Sequence, residues 1–469
     1  MSDNNLNESI VQENPSKKQL NCPSLSKLQL DDHIKAYLNK QHLERENQTI
    51  PCENEMVEKV VTNYVIAKQI LSNLSWQERM LYQHVCSTWH SAIKALKKEQ
   101  LNPSDFMIHI NNSGGKVQFK LKQSSNFHSE PLVVFIFMNI SAASKFTKCQ
   151  NITPSPCFTP CEKEHLAVDV IQKFSCAPKD CMLAAKAHCV SYMPLPTAKT
   201  KDGTITRLSS QAFIGGLYLP VIPNVQFHKI NLKTNSTMQQ EFYTAIDNIV
   251  TDQVIKGVLV FVTDKHLLQS VEDIVFLNHI KDVQPDIPYA LGGCICEDTL
   301  CDSDDISHIV NSTTPSEAVS DNLISIGIFT VPKASEKNEC NFNMFSVILE
   351  SSEWDKAKIQ SSIKQFAKDV PQYEHSACLR LSCIGRDRRH KFEQDCFRAA
   401  FPNTCLTGCY GNGELGVNHP EKPTPEWPKN IKRTRMDSGP QFGIIYSYST
   451  VFVYMGWGKV TTKVFVNYK

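Results

Sequence analysis

The sequence predicts an α/β protein with mixed sheets and flanking helices, preceded by a small all-α hairpin and a disordered N-terminal tail. Three observations lead there. Short, strongly apolar runs alternate with helical stretches through most of the chain, the pattern of sheets covered by helices. Before them lies a segment of about forty residues whose apolar side chains recur only at helical spacing. In front of that, Asn, Gln, Glu, Lys and Ser dominate and aromatics are few, too little apolar surface to offset the entropy of ordering. At 469 residues, 41% of them hydrophobic, two or three domains are the expectation. The division expected is a tail over residues 1–56, a helical segment over 57–100, and two α/β regions over 101–345 and 346–469.

In the helical segment, Ile66, Ile70 and Leu74 mark one run and Leu81, Val85, Trp89, Ile93 and Leu96 a second, so two packed helices are expected. Ser75-Trp76-Gln77-Glu78 has the S-x-x-E form of a capping box, which places Ser75 at the start of the second helix. Beyond Pro103, strands are expected over 133–138, 257–262, 323–331, 344–349, 377–384 and 442–455. Helices are expected over 267–280, 353–366 and 390–400. The Ser- and Thr-rich stretch 299–318 and the Pro-rich stretch 420–428 read as surface loops. No tandem repeat is visible.

Composition excludes several classes. Lys plus Arg number 49 against 48 for Asp plus Glu, so no whole-chain field favours nucleic acid or an anionic membrane. The longest apolar stretch, 442–457, is interrupted by Ser447 and Ser449 and is too short and mixed to span a bilayer. The polar N-terminus lacks the apolar run of a signal peptide. The 18 cysteines are then expected as thiols in a reducing compartment, cytoplasm or nucleus.

Residues 64–96 carry Ile70-Leu71, Leu74, Leu81, Val85-Cys86 and Trp89. These positions reproduce an I-L-x-x-L step followed by V-C-x-x-W. The segment resembles an F-box, the hairpin by which a receptor docks on the Skp-family adaptor of a cullin-RING ubiquitin ligase. Thr62-Asn63 stand where that family has Leu-Pro, and Trp76 stands where a proline often follows the first helix. The resemblance implies that Ile70, Leu71, Leu74, Leu81, Val85, Cys86 and Trp89 meet the adaptor, with cullin and RING protein as further partners. The physics agrees, because about forty residues cannot form their own core and need an outside cover.

Residues 408–416 read GCYGNGELG. Gly411 to Gly416 fit G-x-G-x-x-G, but Pro420, Pro423, Pro425 and Pro428 follow where a dinucleotide fold starts a helix. No cofactor is expected. With Phe401-Pro402 before it, Cys383-Ile384-Gly385-Arg386 upstream and Tyr446 to Thr450 downstream, the stretch resembles the C-terminal part of the FIST sensory domain. That resemblance spans about residues 165–459, its N-terminal half resting on 257–264 and Tyr289-Ala290-Leu291-Gly292-Gly293. An F-box followed by a FIST module implies a non-catalytic ligase subunit whose FIST part captures a protein substrate. The alternative is a sensory module for a small amino-acid-like ligand, with the hairpin only structural.

The residues expected at such a site are Cys383, Arg386, Gly411, Asn412, Gly413 and Glu414. Glu414 and Asn412 offer an acceptor and an amide, although Asn in a glycine-rich turn also serves left-handed backbone. Arg386 suits a carboxylate, or a structural ion pair. Cys383, near Arg386, Arg388 and Arg389, reads as a reactive thiol or as a buried strand cysteine. Cys157, Cys161 and His165, and Cys176, Cys181, His188 and Cys189, have zinc-ligand chemistry. Their spacings fit no standard knuckle and prolines surround them, so no metal site is expected. Asp302, Asp304 and Asp305 lack the pattern of a calcium loop. The basic runs 386–391 and 432–435 read as solvated surface or an import signal.

Overall fold

The computed structural model describes residues 54–125, 127–157, 161–194, 212–233, 237–264, 276–299, 322–333, 341–350, 354–421, 446 and 448–462. Residues 1–53 of the expected tail, the calcium-like aspartates, the basic run 432–435 and most of both predicted loops lie outside these residues, while 54–56 belong to a helix and not to a tail.

Four helices open the described chain: α1 (Asn54–Thr62), α2 (Tyr64–Ser72), α3 (Trp76–Tyr82) and α4 (Ser87–Glu99). Asn63, in the family's proline position, caps α2 by accepting from the Val65 and Ile66 amides. The capping box forms as expected: the Ser75 hydroxyl accepts from the Glu78 amide, and the Glu78 carboxylate accepts from the Ser75 amide at 2.8 Å. The expected single second helix is broken, with Cys86 fully extended at φ −163°, ψ 172°. The reason is a divided loyalty. Trp76 of α3 is buried in a cluster with Phe127 and Ile171, its Nε1 donating to the Ser175 carbonyl at 3.0 Å. Ile93 and Leu96 of α4 pack instead on Leu71 of α2. Arg79, buried, donates to the Leu71 and Ser72 carbonyls at the C-terminal end of α2, where a cation also meets the negative end of the helix dipole.

The rest of the described chain makes three large sheets and one small sheet of two strands. The first unit runs β1 (Ser104–Ser113), β2 (Lys116–Gln123), β3 (Pro131–Asn139), α5 (Ile140–Ala143), β4 (Phe146–Lys148), β5 (Ile152–Thr153), β6 (Glu164–Leu166), α6 (Ala167–Ser175), β7 (Met182–Ala187), β8 (Cys189–Met193) and β9 (Phe213–Pro220). The second runs β10 (Gln226–Lys233), α7 (Met238–Asp252), β11 (Gln253–Thr263), α8 (His279–Val283), β12 (Ala290–Cys296) and β13 (Asn322–Pro332). The third runs β14 (Asn343–Leu349), α9 (Lys356–Asp369), β15 (Gln372–Cys383), α10 (His390–Ala400), β16 (Cys405–Gly411), β17 (Glu414–Gly416) and β18 (Thr450–Thr462). The position between residues 345 and 346 falls inside β14.

The three units share one plan, although no tandem repeat is visible in the sequence. Their strands lie in the orders β1-β9-β3-β7, β10-β13-β11-β12 and β14-β18-β15-β16. In chain order each is first, fourth, second, third. Each has two antiparallel joints and then a parallel one. The parallel registers pair Asn139 with Ala187, Thr263 with Cys296, and Cys383 with Gly411. Those pairs are therefore equivalent positions. The third strands read MLAAKA, ALGGCIC and CLTGCYG, so the repetition lives in backbone pairing and leaves little trace in side chains.

Counting back from those positions, Phe135 and Phe137 of β3, Leu259 and Phe261 of β11, and Leu379 and Leu381 of β15 are equivalent, and all share one buried cluster. Alternate side chains point the other way, as strand pleating requires. Val134, Ile136 and Met138 meet α6, Val258, Val260 and Val262 meet α7, and Cys378 belongs to a cluster with Ile363 of α9 and Phe397 of α10. Burial on both faces is why these strands read as unbroken apolar runs. Where the third strands converge, the equivalent residues are Ala185, Cys294 and Cys409, small enough for the Cys294 and Cys409 sulfurs to meet at 3.4 Å. Among the described residues no helix is long and apolar enough to cross a membrane.

Candidate functional site

The chain turns a corner after each third strand and joins the edge of a neighbouring sheet. From β7 it passes to β8, beside β16, and from β16 it passes to β17, beside β12. From β12 it passes to Asp298, bridged to Lys186 of β7. The corner residues, each one position past the register pairs above, are His188, Glu297 and Asn412. Their side chains come together. His188 Nδ1 lies 3.0 Å from Glu297 Oε1, and Asn412 Nδ2 donates to Asp264 Oδ2 at 2.7 Å. The Glu297 hydrogen bond raises the His188 imidazole, with Asp264 and Asn412 adding to it. Partial burial lifts the Asp264 carboxyl. Two carboxylates, an imidazole and an amide thus form a half-buried polar cluster, suited to an ammonium or similar donor.

The glycines here serve close approach. A Cβ on Gly411 would collide with the Ile295 carbonyl oxygen, and the strands bond on either side of it: the Asn412 amide donates to Ile295 O at 3.0 Å and the Ile295 amide to Gly413 O at 2.9 Å. Asn412 is not among the residues at positive φ, so its side chain is placed for its hydrogen bond and not for a left-handed backbone. The stretch continues as β17, and no helix begins at these glycines.

Behind the corner lies a buried ion network. Glu393 of α10 accepts from Arg380 Nη2 at 2.8 Å, from Arg386 Nε at 2.6 Å and from Thr450 Oγ1 at 2.9 Å. Arg380 also donates to the Tyr410 hydroxyl at 2.5 Å and to His390 Nδ1, and Arg386 donates to the Tyr448 carbonyl at 2.5 Å. Glu414, at 0% exposure, accepts from Ser449 Oγ at 2.6 Å through one oxygen, while the other has no partner among the described residues. Burial pushes its carboxyl up to about 8, against the lowering effects of the Ser449 hydrogen bond and the Arg386 and Arg380 charges.

Three of the residues expected at the site lie inside the protein: Arg386 and Cys383 take the structural one of their two readings, and Glu414 departs from the ligand acceptor expected. Arg386 is engaged by Glu393 and is not open to a ligand carboxylate. Glu414 is sealed from solvent and cannot offer its acceptor to one. Cys383 is buried, and loss of solvent followed by the Glu414 charge raises its thiol, which leaves it a core residue. Arg386 and His390 are both buried, so the run 386–391 is not simply solvated surface. What stands open is the corner, where Asn412 was expected and His188, Glu297 and Asp264 were not.

No family model matches the sequence, and no curated protein matches it. Cyanuric acid hydrolase from A. caulinodans is one solved structure with a similarity, at 8% identity and a TM-score of 0.28, covering 71% of this chain and 92% of that one.

Two further groupings stand apart. On the helical segment, Val65, Ile70 and Val85 are exposed at 73%, 39% and 49%, together with Ile66. Leu74, Leu81, Cys86 and Trp89 are half-buried. Leu71 is at 0%, held inside the hairpin by Ala92, Ile93 and Leu96, and so cannot meet another protein. Trp89 packs edge-on to Tyr82 at 5.8 Å, and its buried Nε1 has no partner among the described residues. In the first unit, Cys149, Cys157, Cys161 and His165 offer ligand atoms all within 4.8 Å of one another, although the sequence pattern predicts no metal site there. The missing signal was Cys149, eight positions before Cys157. Cys176, Cys181, His188 and Cys189 are not part of the group.

Proposed function

We propose that this chain is the substrate-recognition subunit of a Skp-cullin-F-box ubiquitin ligase. The observation that carries the reading is the exposed apolar face of the helical segment: Val65, Ile66, Ile70 and Val85 are left to solvent while Leu71, Ile93 and Leu96 hold the segment together. Large apolar side chains left exposed together on one short segment are what an interaction surface presents. These lie within the stretch that resembles an F-box, and the pairing with a FIST-like module is that of F-box only protein 22.

The receptor makes no bond itself. Adaptor and cullin hold a charged conjugating enzyme near a substrate lysine, and proximity supplies the acceleration. Such a part works only if its two faces keep a fixed spacing. The anchoring of Trp76 to Ser175, the hydrogen bond between His128 Nδ1 and the Leu74 carbonyl at 3.1 Å and the ion pair of Lys97 with Glu130 at 3.1 Å tie the helices to the first sheet. The compartment is then cytoplasm or nucleus, where these ligases work.

Affinity purification tests this, comparing the intact chain with Ile70→Glu/Val85→Glu, which changes exposed positions only. Adaptor and cullin recovered with the intact chain and lost from the variant support it. Recovery of neither, where a known F-box protein captures both, refutes it. A second reading rests on the corner cluster: His188, Glu297, Asp264 and Asn412 bind the ammonium of an amino-acid-like ligand. A melting temperature that rises with such a ligand, and no longer does so in Asp264→Asn, supports that reading. The two are compatible.

A further inference from the structure

We propose that Cys149, Cys157, Cys161 and His165 bind one zinc ion in a closed structural site. Three of the four ligand atoms already stand near the separations of a tetrahedron, and the fourth lies close by. With Zn–S near 2.3 Å and Zn–N near 2.0–2.1 Å, sulfur pairs lie about 3.8 Å apart and sulfur–nitrogen pairs about 3.5 Å apart. Here Cys157 Sγ and Cys161 Sγ are 3.7 Å apart, and His165 Nε2 is 3.5 Å from Cys157 Sγ and 3.1 Å from Cys161 Sγ. Cys149 Sγ completes the set, within 4.8 Å of the other three. All three cysteines are free thiols in this structure, and the Cys157 and Cys161 sulfurs stand well beyond the bonded distance of about 2.05 Å.

The surroundings have the build of a metal centre. His165 presents Nε2 to the thiols because its Nδ1 is held by Asp169 Oδ2 at 2.9 Å, the carboxylate–imidazole arrangement that fixes the tautomer of a ligating histidine. Asp169 lies in the first turn of α6, which starts directly after the strand that carries His165. Three thiolates and a divalent zinc leave one negative charge, and Lys173 Nζ lies 3.8 Å from Cys157 Sγ to meet it. Cys149 and His165 are buried, and Cys157 and Cys161 half-buried.

Four protein ligands leave no position for substrate, and soft thiolates with one imidazole select zinc over hard cations. The role is therefore architectural. In the second and third units α7 and α9 lie between the first and second strands. The first unit has the hairpin strand β2 there instead. The ligands come from the turn after β4, the chain before β6, and β6 itself, so a single ion would pin this irregular stretch to α6 beside Trp76's anchor.

The test uses the full chain, purified without chelator from zinc-supplied cells. Elemental analysis should find zinc at a molar ratio of about one. The ratio should fall to near zero in Cys157→Ser/Cys161→Ser, stay unchanged in Cys176→Ser, and the affinity should weaken about 10- to 100-fold in Asp169→Asn. Because the double variant can fail to fold, cobalt(II) exchanged into the intact chain provides a second measurement. Intense visible bands of tetrahedral cobalt with thiolate charge transfer support the site. Absence of zinc together with no such spectrum, or zinc retained undiminished by a folded double variant, overturns it.

Discussion

Glu414→Gln isolates the most perturbed carboxyl near the corner. Its proton leaves the folded chain at about 8, against 4.5 for the ordinary group, a difference of 3.5 from those two values. At 1.36 kcal/mol per pH unit, keeping the buried charge costs the folded state about 5 kcal/mol once it is fully ionised. The direction follows from proton linkage: between pH 4.5 and 8 the unfolded chain has released a proton that the folded chain still holds, so stability falls as pH rises through that window. Glutamine has the same shape and no charge to bury, so the variant lacks this slope. The assay is urea unfolding of both proteins at intervals from pH 5 to 8.5, read as the difference between variant and parent, which cancels every other titrating group. The difference should grow in favour of the variant by up to about 4 kcal/mol over that range. Parallel curves would refute the reasoning, and would mean that Arg380 and Arg386 hold Glu414 ionised throughout.

Other outcomes follow from the same structure. Glu393→Gln removes the carboxylate shared by Arg380 and Arg386, both buried. It should cost about 3–5 kcal/mol in chemical unfolding; a loss under about 1 kcal/mol would show the network to be solvated. Leu71→Ala should destabilise the helical segment by about 2–5 kcal/mol, whereas Ile70→Ala next to it should stay within about 0.5 kcal/mol. Equal effects would contradict the division into core and exposed face. Trp76→Ala should cost about 3–5 kcal/mol and raise amide exchange across α2 to α4 with little change in α10. Unchanged exchange in the helices would remove Trp76 as the anchor.

Much of the α/β pattern was legible because the central strands are apolar on both faces. The run 344–349 appears as β14, Asn343–Leu349, and the stretch 390–400 as α10, His390–Ala400. The Ser75 capping box was readable because both partners are local. The threefold plan was not, since its units match in pairing register while equivalent positions hold Ala187, Cys296 and Gly411. Strand β9, with Gly215-Gly216 and a terminal proline, and β7, rich in alanine, carry little strand signal of their own. At the corner only Asn412 could be anticipated. His188 and Glu297 reach it through a rotation of equivalent turns, which is a property of the closed arrangement and not of neighbours in sequence. The four-ligand group was half visible: Cys157, Cys161 and His165 stand at regular spacing, and Cys149 joins only because β4 and β6 pair and bring Lys148 opposite Glu164.

Direct titration of the purified chain with a purified Skp-family adaptor, by calorimetry at two temperatures, tests the central claim most closely. Apolar docking through Val65, Ile66, Ile70 and Val85 predicts a dissociation constant of about 1 μM or tighter, near −8 kcal/mol. It also predicts a negative heat-capacity change and affinity at least about 100-fold weaker in Ile70→Glu/Val85→Glu. No binding at tens of micromolar (about −6 kcal/mol or weaker), or equal binding by the variant, would contradict it.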